Sequence, residues 1–133
     1  MPADDPAVHL QAQAVAVTLP AEIDIANADA LRDRLLAALG QGPAVLIADM
    51  SSTTFCDSAG VRTLVQVSQR TRATRVAFRV VVTARGVLRV LAISGADQLM
   101  DIYSDVAAAV AAPAPAVPAQ DAADEAEPEP TTL

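Results

Sequence analysis

A serine hydroxyl beside a carboxylate is the first chemistry this sequence offers. Asp57-Ser58-Ala59-Gly60 follows Phe55-Cys56 and opens a run in which Val61, Leu64, Val65 and Ser68 recur at helical spacing, with Arg62, Gln66 and Gln69 on the other side. That spacing puts Ser58 on the first turn of a helix. Backbone N–H groups there have no intrahelical partner, and the macrodipole adds partial positive charge. An anion carried by Ser58 is therefore expected to be partly satisfied by the fold. The same serine read as a nucleophile would need a base. His9 is the only histidine, so a catalytic triad or a histidine metal cluster would rest entirely on it. Cys56 is the only cysteine and cannot close an internal disulfide; it reads as a small buried apolar residue rather than a redox centre. Asp49, at the end of an apolar run, is expected to organise the following loop through hydrogen bonds. On residue type alone Asp57-Ser58 is a helix cap and Asp24 a loop acid or cap.

The elements that must position these residues follow from hydrophobic periodicity. From Val8 to Leu19 apolar and polar residues partly alternate, which predicts two half-buried strands with a tight turn near Gln13, the second ended by Pro20. Ala28, Leu31, Leu35, Ala38 and Leu39 predict an amphipathic helix with Asn27 as N-cap and Gly40 as its stop. Ala44 to Ala48 is continuously apolar, as in a strand buried on both faces. Ser51 to Cys56 reads as a polar connection, Val76 to Thr83 as a strand, Gly86 to Ile93 as a short helix and Leu99 to Tyr103 as a last strand. Ser104 is expected to cap a final Ala/Val helix. Alternating strands and helices predict an α/β fold with a mixed, mostly parallel sheet of about five strands and about four helices packed mainly on one face. Residues 8–111 form the predicted domain. Residues 1–7 are expected to be flexible, and residues 112–133, rich in Pro, Ala and acid, to be a disordered tail.

The stretch from Val45 to Leu64 resembles a known family. An apolar strand, then Asp49-Met50-Ser51, four residues on Phe55-Cys56, and then Asp57-Ser58-Ala59-Gly60 is similar to the hallmark of STAS domains, the anti-anti-sigma fold. Ala21-Glu22-Ile23-Asp24 resembles the family's Gly-Glu-Leu-Asp, and Val87 to Gly95 its helix ending in Ser-Gly. The resemblance spans roughly residues 8–111. It implies a STAS fold and the role of an anti-sigma factor antagonist. Ser58 would be the residue phosphorylated by an anti-sigma factor with serine kinase activity, and a phosphoserine phosphatase would reset it. The unphosphorylated form would bind the anti-sigma factor and free the sigma factor. Asp57 and Asp24 match family carboxylates near the acceptor, and with Ala59, Gly60, Arg62 and Asp49 complete the expected partner-binding or acceptor-supporting set. No cofactor, metal or catalytic residue of the chain itself is implied, so it is not expected to be an enzyme. The chain departs from the pattern at Ala59, where a second serine is frequent, and at Ala21. It departs also at Arg62-Thr63 and in the Arg72 to Arg75 turn, where the family commonly carries glycine. The resemblance leaves a second function open: a STAS subunit that holds a partner without phosphorylation, such as the accessory protein of a lipid-transport ATPase.

Composition narrows the partners. A net charge of -7 is concentrated at the end, where Asp121, Asp124, Glu125, Glu127 and Glu129 stand with no cation, leaving eleven acids against nine arginines in the body. With three aromatic residues and no basic excess, nucleic-acid binding is not expected. Seven of the nine arginines fall between Arg62 and Arg89 without an acid among them, and read as a solvated or partner-facing basic surface. Although 53% of residues are hydrophobic, Arg79 and the late prolines break every long apolar run, so no membrane insertion is expected. The N-terminus has no secretory pattern, and with one cysteine the expected location is cytoplasmic.

Overall fold

The β-branched runs build a five-stranded sheet. The computed structural model describes residues 7–11 and 13–113; residues 1–6 and most of the expected tail lie outside the described residues. The chain runs β1 (Ala7–Gln11), β2 (Ala14–Thr18), β3 (Glu22–Ile23), α1 (Ala28–Leu39), β4 (Val45–Met50), β5 (Phe55–Cys56), α2 (Ser58–Ala73), β6 (Ala77–Val82), α3 (Arg85–Ser94), a single 3-10 turn (Ala96–Gln98), β7 (Asp101–Tyr103) and α4 (Val106–Ala111). Strand order is β1-β2-β4-β6-β7, with β3 and β5 forming a separate two-stranded ribbon. Only the β1–β2 hairpin is antiparallel; β2–β4, β4–β6 and β6–β7 are parallel. Helical crossovers are what parallel neighbours require.

The two-residue period of the strands divides the interior. Val15, Val17, Leu46, Ala48, Met50, Phe78, Val80 and Val82 meet α1, α2 and α3, whose Leu31, Leu35, Leu64, Val67, Val87 and Leu91 complete the main core. Apart from Ala48, each of these side chains contributes about 1.5–3 kcal/mol by leaving water. The intervening residues Ala14, Ala16, Val45, Ile47 and Val81 face the other way and are met by α4 through Ala109. Three helices on one face and one on the other is the layered α/β arrangement expected.

Local signals were obeyed with some substitutions. Asn27 occupies the N-cap of α1 but does not cap it. Its side chain turns back, Nδ2 donating to Glu22 O and Oδ1 accepting from Asp24 N–H, so it fastens the preceding turn. Gly40 ends α1 in right-handed geometry, and the left-handed residue is Gly42 at φ 77°. The cap of α4 is Asp105, not Ser104, its carboxylate accepting the Ala108 N–H at 2.7 Å. A carboxylate complements the positive end of a helix better than a neutral hydroxyl. Arg75 is left-handed, φ 61°, in the α2–β6 turn where the family commonly carries glycine.

One arginine contradicts the reading of a continuous basic surface. Arg62, Arg70, Arg72, Arg75, Arg85 and Arg89 are exposed, but Arg79 is 2% exposed on β6. The small residues of α4 leave room for its guanidinium. Nη1 donates to Ala109 O (2.7 Å) and Ala112 O (3.1 Å), and Nη2 donates to Pro113 O (2.7 Å). The group thus closes the negative end of α4, and its Cζ lies over the Tyr103 ring, 5.8 Å from the ring centre. Nε is buried without a partner. Because α4 is only six residues long and buries only Ala109 fully, it depends on this clasp. Arg79→Met should loosen α4 locally, raising amide exchange at residues 109–112 by an amount equivalent to about 1.5–3 kcal/mol, while the global denaturation midpoint changes little. Unchanged exchange would show that α4 is held by its apolar face alone.

Candidate functional site

The expected site residues lie at the C-terminal ends of β3, β4 and β5 and on the first turns of α2, a position that in open α/β sheets favours ligand and partner contacts. The piece that assembles them is the β3–β5 ribbon, which the sequence concealed inside a polar connection. Glu22 pairs with Phe55 and Ile23 with Cys56, so Asp24 and Asp57 leave the ribbon side by side, and Asp57 N–H donates to Ile23 O at 3.1 Å. A second residue without any sequence signal, Thr53, is fully buried and donates from Oγ1 to Pro20 O at 2.7 Å, tying the β4–β5 loop to the end of β2. Thr54 N–H reinforces this by donating to Ala21 O, and Thr83 Oγ1 donates to Ser51 O from the β6 side.

Each carboxylate has a defined task in the backbone. Asp49 Oδ1 accepts from Ser51 N–H at 3.0 Å, turning the chain out of β4. Asp24 Oδ1 accepts from Ala26 N–H at 2.9 Å, and its carbonyl accepts from Ala28 N–H, shaping the entry to α1. Asp57 is the N-cap of α2: its Oδ1 accepts from Ala59 N–H at 2.9 Å and from Gly60 N–H at 3.1 Å. Such a cap stabilises a helix by about 1 kcal/mol. It also narrows the expectation that an anion on Ser58 would be partly satisfied by the free N–H groups of the first turn, because of those donors only the N–H of Ser58 itself stays without a partner among the described residues. Two of those donors serve Asp57 Oδ1, and Val61 N–H serves Asp57 O.

Gly60 is buried because its backbone passes close to the ribbon. A Cβ at this position would lie 2.5 Å from Cys56 Sγ and 2.8 Å from Ile23 Cγ2. Cys56 is 4% exposed, and burial, aided by the neighbouring Asp57 charge, pushes its thiol up to about 11. It is therefore a protonated, space-filling group at neutral pH, as the sequence suggested. His9 stands opposite Val15 in the β1–β2 ladder, not on the β3–β5 ribbon.

Ser58 itself is exposed, the first residue of α2. It borders an open groove of about 240 Å³ between α2 and α3, lined otherwise by Val61, Val90, Ile93 and Ser94. Large apolar side chains stand out to solvent from the elements around it: Ile25 at 82% exposure before α1, Phe55 at 51% on β5 and Ile93 at 79% on α3. Apolar groups presented together beside a polar centre mark an interaction surface. Ala59 is half-buried next to Ser58, and Arg62 is exposed one turn further along α2. The site thus consists of a free hydroxyl, two adjacent carboxylates, an apolar groove and one arginine. Among the described residues no helix is long and apolar enough to cross a membrane.

Comparison with known proteins bears on the fold. No curated protein matches the chain. Among solved structures, an anti-sigma factor antagonist of Mycobacterium paratuberculosis is 23% identical, covering 83% of this chain and 96% of that one, with a TM-score of 0.70. The Bacillus cell fate determinant SpoIIAA in its phosphorylated form is 19% identical, covering 77% of this chain and 93% of that one, with a TM-score of 0.60. The murine anion transporter Slc26a9 is 24% identical over 75% of this chain but only 17% of its own, with a TM-score of 0.65. At these identities the likeness is one of fold. The STAS domain model matches residues 5–109, a span holding the hairpin, the β3–β5 ribbon, α2 and the α3 segment. The chain therefore belongs to the STAS domain family.

Proposed function

We propose that this protein is an anti-sigma factor antagonist. In this reading its unphosphorylated form binds a serine-kinase anti-sigma factor and frees the sigma factor, and phosphorylation of Ser58 switches that binding off. The observation that carries the reading is the place of Ser58: an exposed hydroxyl at the start of α2, on the rim of an apolar groove. A partner that buries the groove, Ile93 and Phe55 gains from the apolar area it covers. A phosphate on Ser58 adds nearly two negative charges at that rim, next to Asp57 and Asp24. Closing the same interface would then mean stripping water from the phosphate and bringing like charges together.

The chain supplies the acceptor and its partner the chemistry. The Ser58 oxygen forms a bond to the terminal phosphorus of ATP held by the kinase as the bond to ADP breaks. The hydroxyl proton passes to a base of the kinase. A phosphatase returns the hydroxyl by hydrolysis. The protein performs no catalysis of its own in this cycle, needs no cofactor, and works in the cytoplasm.

The Slc26a9 likeness favours a second reading, in which the fold serves as a fixed, unphosphorylated subunit of a transport system. The two separate in one assay. Incubation with an anti-sigma kinase of the same organism and ATP labelled on the terminal phosphate should label the wild type and leave Ser58→Ala unlabelled. Equal labelling of both, or of neither, would overturn the switch at Ser58 and favour the fixed subunit.

A further inference from the structure

We propose that Arg62 is the internal partner of the phosphate on Ser58, clamping it against the exposed face of α2 when the switch is off. This rests on the phosphorylation of Ser58 proposed above and deepens it, because it concerns how the chain itself accommodates the added charge.

A phosphate on Ser58 needs donors, and the backbone has few to give. The N–H groups of Ala59 and Gly60 already serve the Asp57 carboxylate, at 2.9 and 3.1 Å, and Val61 N–H closes the first helical turn, which leaves Ser58 N–H as the one first-turn donor to share among three phosphate oxygens. The side chains nearest in the fold do not supply the deficit. Asp57 and Asp24 repel the phosphate. On α3 the groove residues Val90, Ile93 and Ser94 carry no charge, and the Ser94 hydroxyl donates to Leu91 O.

Arg62 has the missing chemistry in the right place. It is the only cation on the first two turns of α2, and like Ser58 it is exposed. Residues four apart lie on one face of a helix, and the Cα–Cβ bonds tilt toward its N-terminus, so the Arg62 side chain is directed back over the turn that bears Ser58. Among the described residues both ion pairs belong to Arg32, so no ion pair within the fold competes for this guanidinium. Its planar fork matches two phosphate oxygens and forms short charge-assisted bonds with them. The clamp offsets part of the repulsion from Asp57 and Asp24, favours the dianionic phosphate and fixes it at the mouth of the groove.

The test installs phosphoserine at position 58 during translation, so that no kinase is involved, and follows the phosphate by phosphorus NMR as pH is varied. With Arg62 present the second phosphate ionisation should fall lower than in Arg62→Gln by about half a pH unit or more. Arg62→Lys should retain part of the difference, and Arg89→Gln, an exposed change on α3, should leave the wild-type curve in place. Identical titrations of wild type and Arg62→Gln, or a shift produced by Arg89→Gln instead, would overturn the assignment. A protein never phosphorylated in its host would defeat the proposed switch yet leave this titration unchanged, so the two failures are distinct.

Discussion

Ser58→Asp is expected to weaken binding to the anti-sigma factor about a hundredfold, a coupling of about 3 kcal/mol, while Ser58→Ala binds as the wild type does. The direction follows from the groove. Ser58 and Ser94 are the polar groups on a rim otherwise made by Val61, Val90 and Ile93. Removing its hydroxyl leaves an apolar surface that still closes. Placing a carboxylate there demands desolvation of a charge and adds it to Asp57 and Asp24. Both variants should remain folded, because Ser58 is exposed and the cap of α2 is made by Asp57. Titration calorimetry against the same partner reads the ratio directly, and equal affinities would argue against a charge-operated interface. An aspartate carries less charge than a phosphate, so the phosphorylated protein should bind more weakly still.

The second large effect is structural and lies two residues away. Gly60→Ala should cost about 1–3 kcal/mol, because the new methyl group meets Cys56 Sγ at 2.5 Å and Ile23 Cγ2 at 2.8 Å in a region with no slack. Where the Cys56 and Ile23 side chains cannot rotate away, relief comes by moving the start of α2 away from the β3–β5 ribbon. The Asp57 cap and Ser58 would shift with it, so acceptance of phosphate should fall together with stability. The chemical-denaturation midpoint measures the first effect, and the added Cys56→Ala change measures its cause. If Sγ is the main obstruction, the double variant should be more stable than the sum of the two single losses allows. Strict additivity would place the origin of the loss elsewhere.

These two residues also show how far the sequence could be read. Periodicity located α2 and its buried Val61, Leu64 and Ser68, because that helix presents one face to the sheet. Parallel strands β4 and β6 were legible as short apolar runs for the same reason. The β3–β5 ribbon was not, since two residues per strand carry no period, and its pairing is fixed by contacts between residues some thirty positions apart. Thr53 was invisible because burial of a threonine depends on a single distant carbonyl, that of Pro20. Arg79 misled in a different way: a cation within an apolar run reads as an interruption, and nothing local reveals that the carbonyl end of α4 will meet it. At the site, residue types alone read Asp57-Ser58 and Asp24 as caps, and it was the resemblance that singled out Ser58 and its carboxylates. What both missed was competition: Asp57 takes the Ala59 and Gly60 N–H groups, two of the donors that would otherwise have received the phosphate. That single hydrogen-bonding fact turns attention from the helix terminus to Arg62.

The most direct measurement of the central claim is the intact mass of the wild type and of Ser58→Ala after expression in the native host, with peptide mapping of any added phosphate. A phosphate on the peptide containing Ser58, absent from the variant, is the predicted result. A wild type that carries no phosphate at Ser58 under any growth condition would contradict the switch.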